Sequence, residues 1–223
     1  MSKVVLVVAA HADDEALGCG GTIARHVAEG DTVHAVFLAD GVSSRHDADA
    51  DDLTRRLAAT EQARQILGIA ANTFLGLPDN RLDGMPLIEV IQPLEQVIRQ
   101  INPQVIYTHH YGDLNVDHRI AHQAVMTACR RVPDASIKEI YAFEVMSSTE
   151  WSSVGLMPFL PNLFVDISDY FHIKLKALEA YALEMRPAPH TRSMENLTAL
   201  AKHRGHCVGV DAAEAFMVMR VVR

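Results

Sequence analysis

The chain has 223 residues, of which 49% are hydrophobic and 22% charged, and its formal net charge is −8. This size and composition are typical of one globular unit, so we expect a single domain over residues 1–223. The negative net charge and the absence of a basic cluster argue against a nucleic-acid-binding surface. The sequence contains no signal peptide and no run of 18 apolar residues, so we expect a cytoplasmic protein without membrane insertion.

Apolar runs alternate with segments of helical period along the chain, which predicts an α/β fold with a mostly parallel sheet. Strands are predicted near 3–9, 32–38, 73–75, 103–108, 140–145, 162–167 and 215–221. Helices are predicted near 15–29, 51–67 and 87–101, from His118 to about Pro133, and near 168–184 and 192–204. Pro93 predicts that its helix is kinked or starts later than the pattern suggests. Residues 40–52 lack an apolar period and are expected to form a mobile loop.

Three polar residues, His11, Asp13 and Asp14, directly follow the apolar run 4–10. This places them at the carboxyl end of a buried strand, where open α/β sheets bind ligands. Crowded carboxylates are costly to desolvate unless a positive charge compensates them, and a divalent metal would do so. The alternative is a polar loop in which Asp13 or Asp14 caps the next helix. Position and composition together favour the metal site.

A second polar cluster follows the predicted strand 103–108. It contains His109 and His110 and continues through Asp113, Asp117 and His118. A parallel sheet would bring the ends of these two strands side by side, although they lie far apart in the sequence. The two clusters are therefore expected to form one site.

These residues carry a resemblance to a known family. The segment His11-Ala12-Asp13-Asp14-Glu15 resembles the His-Pro-Asp-Asp-Glu signature of the LmbE/PIG-L family of zinc-dependent de-N-acetylases. The segment Asp113-x-Asn115-x-Asp117-His118-Arg119 resembles that family's second metal motif, and similarity continues at 75–79 and 189–193. The resemblance implies a Rossmann-like fold with a metal site at the carboxyl ends of the strands.

The resemblance also implies roles for individual residues. His11, Asp14 and His118 match the metal ligands, and Asp13 matches the general base that activates a metal-bound water. The implied reaction removes the N-acetyl group from an N-acetylated amino sugar, such as N-acetylglucosamine, or from a glucosaminide conjugate. Zn²⁺ is the expected ion, although two histidines and one aspartate also suit Fe²⁺ or Mn²⁺.

Further positions match residues around the family's site. Asp117 is expected to orient a histidine ligand, and Asp79 to bind sugar hydroxyls. Arg56 or Arg55 matches an arginine that reaches the substrate, and His190 lies in a segment that closes the site in some relatives. Asp79, the arginines and His190 could alternatively be solvated loop residues.

Asn115 departs from the family pattern, in which many members have a histidine that helps to protonate the leaving amine. Asparagine cannot donate a proton at neutral pH. Either Asp13 returns the proton that it has taken, or His109, His110 or His190 replaces the missing acid. We favour Asp13, because His109 and His110 precede the turn and are expected to point away from the metal.

Two other classes of function have to be weighed. A metal phosphoesterase would use two ions about 3.5–4 Å apart, whereas this chain offers one well-matched set of three ligands. A non-catalytic sugar- or nucleotide-binding module would not need Asp13, and Gly18-x-Gly20-Gly21 lacks the GxGxxG spacing. The expected partner is a small N-acetylated sugar, and the apolar loop 154–161 leaves a homo-oligomer open.

Overall fold

The structure is a computed structural model and describes residues 2–44, 50–130 and 136–223. The strands of the described chain are β1 (Val4–Ala9), β2 (Thr32–Ala39), β3 (Ala71–Leu77), β4 (Val105–His109), β5 (Glu139–Phe143), β6 (Leu163–Asp166) and β7 (Ala213–Val221). Its α-helices are α1 (Asp14–Ala28), α2 (Ala50–Leu67), α3 (Leu87–Ile101), α4 (Val116–Ala128), α5 (Phe171–Ala180) and α6 (Met194–His206). Short 3₁₀ turns occupy Leu82–Gly84 and Thr149–Trp151.

The seven strands form one sheet in the order β3-β2-β1-β4-β5-β7-β6. The first five strands in this order are parallel, and β7 runs antiparallel to both β5 and β6. The structure thus confirms the predicted Rossmann-like, mostly parallel sheet. Strand β1 pairs with both β2 and β4, so the chain order reverses beside it. Crevices at such switch points are the usual ligand sites of this architecture.

Strand β1 is apolar throughout because helices cover both faces of the sheet. Alternate residues of the run 5–10 point into two separate cores. One core includes side chains of α1, α2 and α5, which contact one another, and the other includes side chains of α3 and α4. The packing on both faces fixes where the carboxyl end of β1 emerges.

Several predicted boundaries were inaccurate. Strand β3 is longer than predicted, and α5 is shorter than the predicted helix over 168–184. Helix α3 does not start later because of Pro93; it begins at Leu87 and runs through the proline. The carbonyl of Glu89, which loses its hydrogen-bond partner to Pro93, belongs to an exposed residue, so water can satisfy it. Residues 45–49 of the predicted loop over 40–52 lie outside the described residues, as does the helix end near Pro133.

The helices of the described chain are too short or too polar to cross a membrane. A transmembrane helix needs about 20 predominantly apolar residues. Helix α2 is the longest with 18 residues, and six of them are charged.

Helix α1 is interrupted at Cys19, whose φ of −148° and ψ of 24° are not helical. The interruption leaves backbone groups without helical partners, and a buried ion pair takes their place. Glu214 on β7 accepts hydrogen bonds from the amides of Gly21 (3.0 Å) and Thr22 (2.7 Å). Lys174 on α5 donates to the carbonyl of Leu17 (2.8 Å) and to Glu214 (2.5 Å). The pair therefore satisfies both sides of the break.

The glycines near this break serve packing and not phosphate binding. A Cβ on Gly18 would collide with the ring of Phe143, and one on Gly21 would lie 2.7 Å from Ile167. Side chains at these positions would push α1 away from the sheet. The structure thus explains Gly18-x-Gly20-Gly21 without a nucleotide.

We predict that Lys174→Met lowers the free energy of unfolding by about 3–5 kcal/mol, because it leaves the buried carboxylate of Glu214 unpaired. Denaturant titration followed by circular dichroism measures the loss. Lys176→Met is the matched control, since this lysine is exposed on the same helix. It should change the stability by less than about 0.5 kcal/mol. Equal losses in the two variants would contradict the role of the pair.

Candidate active site

A pocket of about 360 Å³ opens at the carboxyl ends of β1, β3 and β4. Its acidic and imidazole lining includes five buried side chains, namely His11, Asp13, Asp14, Asp79 and His118. Each is at most 7% exposed. The two polar clusters of the sequence therefore share one cavity.

Three of these side chains face one another. Asp14 Oδ2 accepts a hydrogen bond from the backbone amide of His11 (2.8 Å) and lies 3.4 Å from His11 Nδ1. Asp14 Oδ1 lies 3.4 Å from His118 Nε2. One donor atom from each residue lies within 4.8 Å of the other two. Two imidazole nitrogens and one carboxylate oxygen at this spacing suit a divalent cation of the zinc type.

In each of the two imidazoles, the nitrogen that does not face Asp14 lies next to another carboxylate. His11 Nε2 lies 3.0 Å from Asp117 Oδ2 and 3.1 Å from Asp79 Oδ1. His118 Nδ1 lies 3.3 Å from Asp113 Oδ1. A carboxylate acceptor fixes the tautomer and the orientation of an imidazole, and so leaves the other nitrogen free to bind a metal.

Asp113 belongs to the second motif, but the sequence indicated no individual role for it. Its carboxylate accepts hydrogen bonds from the hydroxyls of Ser148 and Thr149 and from the amide of Asn115. Its place in the second motif, five residues before His118, was the available signal. The two hydroxyls follow β5, and no motif in the sequence indicated them.

Neighbouring charges shift the pKa values of the site residues. Burial disfavours charged imidazoles, but Asp14 and Asp113 outweigh it and raise the pKa of His118 to about 9. Burial is likewise outweighed by carboxylates at His11, whose pKa lies well above its usual value. Burial opposes ionisation of Asp14, yet His118 and His109 hold the pKa of Asp14 well below its usual value. A positive charge is therefore favoured in this part of the pocket.

Asp13 lies beside this group without belonging to it. Its carboxylate is 3.2 Å from Arg192 Nη1 and 3.7 Å from Arg56 Nη2. Burial raises the pKa of Asp13, and Arg192 and Arg56 limit the rise. The side chain is 3% exposed and lines the pocket, so its oxygens can reach a bound molecule.

The structure distinguishes the two candidate arginines of α2. Arg56 is 8% exposed, lines the pocket and donates to the carbonyl of Ala12 (2.7 Å). Arg56 also pairs with Glu184 (2.8 Å). Arg55 lies on the exposed side of the helix, paired with Asp52. Of the two arginines, Arg56 is therefore the one that reaches the pocket.

Further hydrogen-bonding groups line the pocket. Ser44 donates to Asp79 Oδ2 (2.5 Å), and Asn80 Nδ2 donates to Ser44 Oγ (3.2 Å). Asn115 caps α4 by accepting a hydrogen bond from the amide of Asp117 (2.8 Å), and its Nδ2 lies 3.4 Å from Asn80 Oδ1. These four residues line the pocket with both donors and acceptors.

The remaining candidate histidines, His109, His110, His122 and His190, are not among the described residues that line the pocket. His109 Nε2 accepts a hydrogen bond from the amide of Ala10, and burial lowers the pKa of His109 to about 4. His110 is buried against the carbonyl of Met157, and His122 contacts the carbonyl of His109. The ring of His190 packs against Trp151 at the rim.

The backbone of Asp13 is held in a conformation that non-glycine residues rarely adopt, with φ of +127°. The carboxylate of Glu15, which is fully buried, accepts hydrogen bonds from the Asp13 amide (3.0 Å) and from the Tyr181 hydroxyl (2.7 Å). Burial raises the pKa of Glu15 to about 7. The contact offsets part of the backbone strain at Asp13.

Comparisons with known proteins agree with this geometry. The family model described as GlcNAc-PI de-N-acetylase, PIG-L, matches residues 6–129, which is more than half of the chain. The chain belongs to the PIG-L family. The Escherichia coli K12 protein YaiS, described as an uncharacterized deacetylase, is 33% identical over 185 residues, covering 80% of this chain and 90% of its own.

Two further proteins show how the PIG-L fold is used. The diacetylchitobiose deacetylase of Thermococcus kodakarensis is 28% identical over 191 residues, covering 80% of this chain and 69% of its own. GalB of Pseudomonas putida, a 4-carboxy-2-hydroxymuconate hydratase, superposes with a TM-score of 0.77 at 23% identity, covering 99% and 98% of the two chains. Since the fold also carries a hydratase, activity has to be argued from the site.

We predict that Glu15→Leu lowers the kcat for deacetylation by about 10-fold or more, because Asp13 loses the contact that holds its backbone in place. Glu15→Gln should retain most of the kcat, since the amide oxygen can still accept the Asp13 N–H. The measurement compares kcat, KM and melting temperature for both variants. Lys174→Met serves as a control for destabilisation without displacement of Asp13. A parental kcat in Glu15→Leu would show that this contact does not position Asp13.

Proposed function

We propose that the protein is a zinc-dependent N-deacetylase that hydrolyses the acetamide of an N-acetylated amino sugar or glucosaminide conjugate. The observation that carries the proposal is the juxtaposition of the three-ligand group His11, Asp14 and His118 with Asp13, whose carboxylate is not needed for that group. Because Asp13 from the N-terminal part and Arg192 from the C-terminal part of the chain meet in the site, we also propose that residues 1–223 form one domain.

His11, Asp14 and His118 would hold the ion. Three protein ligands are the usual number at a catalytic zinc, which keeps a position for water or substrate. When bound, Zn²⁺ would supply Lewis acidity, which lowers the pKa of a water and polarises a carbonyl. Asp113 and Asp117 would keep the two imidazoles correctly oriented.

Asp13 would act as the general base. A carboxylate whose pKa is raised by burial takes a proton more readily than an ordinary aspartate. In this reaction it removes a proton from the attacking water, and the water oxygen forms the new bond to the acetamide carbon. Arg56 and Arg192 keep Asp13 oriented toward the pocket and limit the cost of its buried charge.

Asp13 would also return the proton to the leaving nitrogen when the C–N bond breaks, which yields acetate and the amine. Asn115 cannot protonate it, and among the residues described at the pocket the histidines are His11 and His118, which are assigned to the ion. His109 is also unsuited, because its Nε2 already accepts the Ala10 amide. One carboxylate therefore serves both steps.

The hydrogen-bonding groups that line the pocket suit a sugar. Asp79, Ser44, Asn80 and Asn115 offer alternating donors and acceptors for hydroxyl groups. Such groups bind a polyhydroxylated ring more specifically than an apolar one. The substrates named for the family and for the Thermococcus relative are consistent with this assignment.

A two-metal phosphoesterase is disfavoured. A second possible ligand group, His11, Asp79 and Asp117, shares His11 with the first. Both Asp117 oxygens also accept backbone amides, from Asn80 (2.7 Å) and Leu82 (3.1 Å). Asp117 is therefore better suited to orient His11 than to bind a second ion.

We predict that His118→Ala abolishes the binding of Zn²⁺, whereas His122→Gln, one turn further along α4, retains it. The reason is that His118 supplies one of three ligands, and His122 hydrogen-bonds to a carbonyl outside the pocket. Elemental analysis of both purified variants checks this result. Undiminished zinc in the His118→Ala protein would refute the ligand set.

Asp13→Asn should retain the metal and the fold but lose acetate release by about 10²–10⁴-fold, the usual loss for a missing acid–base group. Asp83→Asn, at an exposed turn, is a matched control and should keep the parental rate. The rate is measured as acetate produced from N-acetylglucosamine or its glycosides. If Asp13→Asn hydrolysed these substrates at the parental rate, Asp13 could not be the base.

The single-carboxylate mechanism predicts a modest loss for Asn115→Ala, about 1 kcal/mol or one hydrogen bond. His110→Asn and His190→Gln should each keep the basic limb of the kcat–pH profile. Profiles of the three variants against the parent test this. A 10²-fold loss of kcat, about the range for a missing general acid, together with loss of that limb in one histidine variant would identify a separate acid.

A further inference from the structure

Two kinds of side chain line the pocket. Ser44, Asp79 and Asn80 provide hydrogen-bonding groups. Leu114 and Trp151 also line the pocket, yet they remain 47% and 48% exposed. Large apolar side chains that are left half-exposed at a binding site commonly contact a ligand.

The indole of Trp151 is fixed relative to the site. Trp151 ends the 3₁₀ turn Thr149–Trp151, whose first residue hydrogen-bonds to Asp113. Its ring meets that of His190 edge to face, with centroids 5.5 Å apart and an interplanar angle of 81°. His190 Nδ1 accepts the backbone amide of Arg192, which reaches Asp13 through its guanidinium. The His190 contact covers at most one face of the indole.

We propose that Trp151, together with Leu114, forms a stacking surface for a second ring that is carried by the acetamido sugar. The inference rests on the proposed deacetylase function and names the substrate class more closely. A pocket of 360 Å³ is at the small end of ligand sites, so a larger substrate extends over the rim. A pyranose or an aryl group presents the flat C–H or π face that an indole packs against. Trp151 is thus the residue that sets the preference for glycosides over the free monosaccharide.

The chain contains a single tryptophan, so its intrinsic fluorescence reports on this surface directly. The binding experiment uses the Zn²⁺-loaded Asp13→Asn protein, in which turnover is slow. It is titrated with N-acetylglucosamine, with N,N′-diacetylchitobiose and with phenyl N-acetyl-β-glucosaminide. We expect a shift in tryptophan emission with one or both two-ring ligands, and about 3–10-fold tighter binding than for the monosaccharide. The two ligands distinguish a sugar from an aryl ring.

The kinetic experiment compares kcat/KM for the same three compounds in Trp151→Ala, Trp151→Phe and Leu160→Ala. Trp151→Ala should lower kcat/KM for the two-ring substrates by about 3–10-fold more than for the monosaccharide, and so remove the preference. Trp151→Phe should retain most of the preference, because it keeps an aromatic face. Leu160→Ala is the matched control, since Leu160 is an exposed apolar residue of the same loop and is outside the described pocket lining.

The outcomes separate this inference from the proposed function. If acetate is released but the three compounds react alike in the parent, the stacking surface is refuted and the deacetylase assignment stands. Equal loss for all three compounds in Trp151→Ala would also refute it, because that result indicates a structural role. If the parent releases no acetate from any of them, the proposed function itself fails.

Discussion

The structure depends on a single electrostatic constraint, the burial of many carboxylates at the end of one parallel sheet. Asp13, Asp14, Asp79, Asp113 and Asp117 are each at most 3% exposed. Isolated buried charges are very costly, so each must be paired or hydrogen-bonded. Two imidazoles, two guanidinium groups and several backbone amides compensate them, and a divalent cation would compensate them further. The fold can be understood as the scaffold that makes this concentration of charge tolerable.

Distant parts of the chain supply the compensating groups, which is why the site needs the whole sheet. His11 follows β1, and His118 lies in the first turn of α4, which follows β4. The two residues meet because β1 and β4 are neighbours in the sheet and end at the switch point. Arg56 arrives from α2, and Arg192 from the segment before α6. Glu15 accepts the backbone amide of Asp13 directly and is itself held by the Tyr181 hydroxyl. The residues proposed to bind the metal, to act as base and to bind substrate thus line one pocket.

Much of this arrangement could be predicted from the sequence, because strand burial and strand ends have clear patterns. The alternation of apolar runs predicted the sheet, and the motifs after β1 and β4 predicted which side chains meet in the pocket. Contacts that depend on tertiary packing had no such signal. The Lys174–Glu214 pair across the break in α1 depends on how α5 packs beside β7. The hydroxyl groups that bind Asp113 and the position of Trp151 in the pocket depend on how the segment after β5 packs. Helix α3 continued through Pro93 because burial of one apolar face outweighs a lost hydrogen bond.

The most direct test of the central claim is the fate of solvent oxygen during turnover. The Zn²⁺-loaded protein is incubated with an N-acetylglucosaminide in H₂¹⁸O, and the products are analysed by mass spectrometry. Direct hydrolysis predicts equal amounts of free amine and of acetate that carries one ¹⁸O atom. A product that keeps its acetamido group, with or without added water, would contradict the assignment and would place the chemistry nearer to that of the hydratase that shares this fold.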